Sequence, residues 1–177
     1  MVRNIRLGFE TARSFGAEPS KTGFLCDMFG HISQMPQILN NFGINNAFIW
    51  RGINVDKRHI VWKGADGSEV CTFIFGDGGY GSYAQYVREA RELYQEISPQ
   101  RFKQCLEDFL KNELKKTELD PILLFDGLDH QCWDRQAYKQ LFEVINDDSR
   151  FDIEHTSLDE YARAMENDFS KVKETVT

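Results

Sequence analysis

In this 177-residue chain, residues able to do acid–base or nucleophilic chemistry stand where short apolar runs stop. The run 23–26 stops at Asp27, and the run 46–50 stops at Arg51. The run 121–125 stops at Asp126, with Asp129 and His130 just behind, and the run 151–155 closes on His155. Parallel strands of α/β folds gather ligand chemistry at their C-terminal ends, so if the runs are such strands these residues share one rim. Two carboxylates, an arginine and histidines on one rim suit hydrolysis. One carboxylate serves as nucleophile or base and the other as a protonated acid, while the arginine holds the first ionised. Asp and Gly after strands are also ordinary turn residues, and spacing alone leaves that structural reading open.

The segments between the runs must position them. Residues 4–15 carry Ile5, Phe9 and Ala12 on one helical face, and Gly16 can take the left-handed position after it. Residues 33–42 read as a second helix, with Ser33 as its cap, Pro36 near its start, Ile38, Leu39 and Phe42 as its buried stripe, and Gly43 at its end. Residues 59–62 and 69–75 read as a hairpin turning at Asp66-Gly67. Helices are expected over 83–97, 99–115 and 134–145, and a last one opens at the capping-box spacing Ser157-Leu158-Asp159-Glu160. Apolar runs alternating with helices predict parallel strands covered on both faces. The predicted fold class is α/β: a partial (β/α) barrel-like domain with mostly parallel strands, flanking helices and one β-hairpin. A closed eight-strand barrel needs about 250 residues.

Asp27-Met28-Phe29-Gly30-His31 resembles the nucleophile motif of glycoside hydrolase family 38, the α-mannosidases. That motif is a strand, an Asp, a variable residue, Phe-Gly-His, and a helix a few residues on. The likeness runs over 23–39 and continues through Phe42-Gly43-Ile44 and Phe48-Ile49-Trp50-Arg51-Gly52. Leu123-Leu124-Phe125-Asp126-Gly127-Leu128-Asp129-His130 looks like the family's acid/base strand end. The resemblance covers nearly the whole chain and implies one domain, 1–177, internal to the family's N-terminal catalytic barrel. It implies Asp27 as catalytic nucleophile and zinc ligand, and Asp129 as general acid/base. It implies substrate-binding roles for Arg51, for Tyr80 in the loop 78–81, and for His130. The implied reaction is retaining hydrolysis of terminal α-linked mannose, with zinc orienting the sugar. The chain departs from the family in having no His-x-Asp, and its first histidine is His31. Of the implied ligands only Asp27 is present, and one ligand does not hold four-coordinate zinc. The chain alone is therefore expected to bind zinc poorly and turn over little.

Composition argues against other classes. Asp and Glu number 28 against 21 Lys and Arg, a net charge of -7 that disfavours nucleic acid or an anionic membrane as partner. No stretch of about 18 apolar residues occurs, and no apolar leader follows Met1. The four cysteines form no Cys-x-x-Cys pair, so a reduced, cytoplasmic protein is expected. The expected partners are an α-mannoside or mannose-containing oligosaccharide and, because a partial sheet leaves open edges, a second copy or a complementing chain. Two rival readings are a metal-dependent deacetylase-like hydrolase, which needs His and Asp around Asp27, and a non-catalytic interaction domain on the same scaffold. His31 and His130 have structural readings of equal weight, His59 and His155 read first as strand-end residues, and Asp126 as a turn former. Trp50 and Trp133 read first as packing, and neither Cys26 nor Cys132 has an evident base partner.

Overall fold

The computed structural model describes residues 1–88 and 97–177. Five strands form one open sheet in the order β1 (Phe24–Leu25), β2 (Asn46–Ile49), β4 (Glu69–Ile74), β3 (His59–Lys63), β5 (Thr175–Val176). β1, β2 and β4 run parallel, β3 is antiparallel to β4, and β5 is parallel to β3. The helices are α1 (Val2–Ser14), α2 (Met35–Asn41), α3 (Ser82–Tyr86), α4 (Pro99–Lys116), α5 (Arg135–Asn146) and α6 (Leu158–Asn167). The expected α/β class, mostly parallel sheet, flanking helices and hairpin are all present.

Both faces of the sheet are covered, which is why β2 is buried along its whole length, with Ala47, Phe48 and Ile49 a continuous apolar run rather than an alternating one. Ala47 and Ile49 join Met35 and Leu39 of α2 in one cluster. Phe48 points the other way, against Tyr161, Ala162 and Met165 of α6. A third cluster is helical and holds Tyr83, Phe102, Leu106, Leu110, Leu141 and Ile145. The Ile5, Phe9, Ala12 stripe is the half-buried side of an otherwise exposed α1. Gly16, Gly43 and the hairpin's Gly67 all have left-handed backbone.

Some expectations need correction. Residues 121–125 and 151–155 are not strands. The first still alternates, with Ile122 and Leu124 on the helical cluster and Leu123 and Phe125 on the sheet side, but no ladder joins it to the sheet. Apolar alternation sets the faces of an extended segment, and a strand also needs a neighbour for its backbone. Ser33 does not cap α2: Gln34 holds that position without a side-chain bond, and the Ser33 carbonyl accepts from Ala65 N at 3.1 Å. α3 ends at Tyr86, and the remainder of the helix expected over 83–97 falls mainly on residues outside those described. The two-residue β5 was not foreseen.

Candidate active site

β1 and β2 are parallel neighbours, so the residues after each emerge at one rim. Asp27 follows β1 with φ 65°, and Arg51 follows β2. Arg51 Nε donates to Asp27 Oδ1 at 3.3 Å. Its guanidinium carbon lies 3.6 Å from the Trp50 ring centroid and 5.1 Å from that of Phe29, which holds the cation over two aromatic faces. The two loops touch through their backbones. Gly52 has φ 83°, and a Cβ there would stand 2.9 Å from Gly30 Cα. Glycine at 52 lets the loops that carry Asp27 and Arg51 approach.

The loop after β4 lays Gly79 flat on the Trp50 ring, leaving no room for a Cβ. Tyr80 then packs edge-on against Trp50 at 5.4 Å. Its carbonyl accepts from Gly127 N at 3.2 Å, tying this loop to the one that carries Asp129. Tyr80 Oη lies 3.0 Å from Asp27 Oδ2 and 2.9 Å from Asp129 Oδ1. A phenol has one hydrogen, so both bonds form together only when it donates to one carboxylate and accepts from the other group in its acid form. The hydrogen bonds to Asp129 and then Asp27 push the Tyr80 phenol up to about 12. Around these groups is an open cleft of ≈ 320 Å³, lined also by Phe24, Cys26, Phe125, Gly127 and Leu128.

Asp27, Arg51, Tyr80 and Asp129 are thus brought together. His130 stands next to Asp129, exposed, at φ 61°. Asp27 and His130 are the non-glycine residues with left-handed backbone among those described, and such strain collects at functional sites. Asp126 does not join the cleft cluster: it accepts from Arg88 at 2.7 Å, and burial raises its carboxyl while Arg88 opposes that shift. His155 bonds the Tyr138 hydroxyl at 3.1 Å. His31 packs edge-on to Trp62 with both ring nitrogens buried, and burial lowers its pKa while the Arg51 backbone opposes that shift. The Cys26 thiol is pushed up to about 12, first by burial and then by Asp27, which removes it as a thiolate nucleophile near neutral pH. Sequence reasoning missed the Gly30–Gly52 contact, the bridging position of Tyr80 and the whole of Arg88. A glycine closing each of the two rim motifs was the available signal for the first.

Among the described residues, no three His, Cys, Asp or Glu side chains converge as a metal site. Both oxygens of Asp27 are engaged by Arg51 and Tyr80. The donor set among the described residues therefore does not fit the zinc site that the resemblance implies.

The model for the glycosyl hydrolases family 38 N-terminal domain matches residues 1–176. The chain is 24% identical to a "Putative mannosylglycerate hydrolase" of Halalkalibacterium halodurans, over 99% of this chain and 20% of that protein. It is 35% identical to "Alpha-mannosidase G" of Dictyostelium discoideum, over 34% of this chain and 6% of that protein. The crystal structure of an alpha-mannosidase from Enterococcus faecalis V583 superposes with a TM-score of 0.79 at 22% identity, covering 99% of this chain and 19% of that one. The chain spans about a fifth of the length of the relative and the solved structure that it matches end to end.

Proposed function

The chain belongs to glycosyl hydrolases family 38, whose N-terminal domain matches it almost end to end, and on that premise we propose that it carries the carboxylate pair of a retaining α-mannosidase. The observation that carries this reading is the single hydroxyl shared by two acids. Because Tyr80 Oη bonds both, the two oxygens it touches are separated by roughly 6 Å at most. Retaining pairs stand about 5–5.5 Å apart and inverting pairs about 6.5–9.5 Å. Arg51 places positive charge beside Asp27, the group that must attack as an anion. Asp129 has no such cation among the described residues and takes the role of acid.

In the first step Asp27 attacks the anomeric carbon while Asp129 protonates the departing glycosidic oxygen, and an ester to Asp27 forms. In the second, Asp129 takes a proton from water, the water attacks the same carbon, and Asp27 leaves as carboxylate. The substrate class is a mannoside, a group that the names of both relatives contain. No step runs through zinc, because the donors among the described residues do not assemble a site for it. The test is incubation with a fluorinated mannosyl fluoride, followed by peptide mass spectrometry and by NMR of the first product anomer. A mannosyl adduct on Asp27 and an α-anomeric first product are expected. An inverted product, or an adduct on a residue other than Asp27, would sink the reading.

A further inference from the structure

Arg88 lies just past α3, with only 8% of its side chain exposed. Its guanidinium reaches two acids at once: Nη2 donates to Asp126 Oδ1 at 2.7 Å, and Nη1 stands 3.6 Å from Asp134 Oδ2. The other oxygen of Asp134 caps α5, accepting from Gln136 N and Ala137 N at 3.0 Å each. The two acids are the two ends of the loop that holds Asp129. Within that loop, His130 has strained left-handed backbone, which persists only where the surroundings fix it. Between the ends, Gly127 N is held by the Tyr80 carbonyl, and the Leu128 side chain is packed where a Cβ on Gly81 would meet it at 2.9 Å.

We propose that Arg88 is the positioning residue for Asp129: one buried guanidinium closes the loop 126–134 at both ends and so sets where the acid stands relative to Tyr80 and the glycosidic oxygen. This rests on the retaining reading above for the role of Asp129, and on the geometry alone for the clamp. Arginine suits the task because its planar fork serves two carboxylates from fixed directions, which a lysine point charge does not. Removing it leaves Asp126 and Asp134 without the cation that joins them across the loop.

The test uses Arg88→Met, with Asp126→Asn as a milder variant that breaks one arm. Amide exchange of residues 127–133 is expected to quicken about tenfold or more, while β2 and β4 keep their protection. Hydrolysis of phenyl α-mannoside, whose leaving group needs a proton, is expected to slow about 10²-fold or more, and that of 2,4-dinitrophenyl α-mannoside by about threefold or less. Arg88→Lys should restore neither the loop protection nor the slow substrate in full. Unchanged loop exchange overturns the clamp, as does an equal loss on the two substrates. If the parent chain hydrolyses neither substrate measurably, the exchange result alone decides the clamp, and the mannosidase reading stands or falls on the labelling of Asp27. If Arg88→Met also loses protection in the sheet, the same readouts on Asp126→Asn decide it.

Discussion

Tyr80 joins two acids that would otherwise repel across the cleft, and its ring is fixed independently by Trp50. Tyr80→Phe keeps the ring contact and removes only the bridge. A hydrogen bond to a charged group is worth about 1.5–3 kcal/mol, so kcat is expected to fall about 10–100-fold if both bonds are used in turnover. Steady-state kinetics with an unchanged kcat would show that the hydroxyl is a bystander. The same substitution has a spectroscopic signature. The phenol is raised from 10 to about 12 in the folded chain, so the folded state keeps this proton longer than the unfolded state does. The stability it contributes is complete below about pH 10 and is lost as pH rises toward 12. Tyrosinate absorbance should show a step near pH 12 that Tyr80→Phe removes.

At the scale of elements, β3 is fastened to α6 and to the end of α4 by its first residue. His59 Nε2 lies 3.1 Å from the Tyr161 hydroxyl of α6, and Nδ1 lies 3.0 Å from Thr117 Oγ1 at the end of α4. Burial, and next Arg58, lower its pKa from 6.5 to about 4, against a small opposing pull from Glu118. The folded chain therefore binds this proton later than the unfolded chain. Stability is full above about pH 6.5 and is lost as pH falls to about 4, by on the order of 3 kcal/mol. Urea midpoints across that range should show this slope in the parent and a much flatter one in His59→Gln. The capping box of α6, in which Ser157 and Glu160 satisfy each other's backbone, predicts a loss of about 1 kcal/mol in Ser157→Ala. That box and the glycines after α1 and α2 were legible in the sequence because they are local. The strand status of 121–125 and 151–155 was not, because a strand is decided by a neighbour that lies elsewhere in the chain. The pairing of Asp27 with Arg51 could be read from strand ends, whereas the reach of Tyr80 and Arg88 depends on loops meeting in space.

At the scale of the molecule, the candidate site straddles two bodies of packing. Asp27 and Arg51 ride on the sheet, while Asp129 sits on a loop leading into α5 and the helical cluster. Their relative position depends on what joins α4 to the sheet. The strongest such joint is Arg58, just before β3, whose Nη2 and Nε donate to the two oxygens of Glu113 in α4, the Nη2 bond at 2.6 Å. The side chains are 10% and 5% exposed, and Arg58 N also donates to the Lys116 carbonyl at 3.0 Å. Gly76 has φ 73° and carries no Cβ, which would stand 2.6 Å from Arg58 Nη1, so the β4 end is shaped around this guanidinium. A pair so buried costs desolvation to form, and removing one partner strands the other charge. Glu113→Leu is therefore expected to cost about 3–5 kcal/mol, whereas joining it to Arg58→Met in one chain should cost clearly less than the two single changes together. Urea unfolding of the four proteins closes that cycle. Additive losses would mean that the ion pair does not couple the two halves, and the two carboxylates would then owe their spacing to the loops around Tyr80 rather than to this joint.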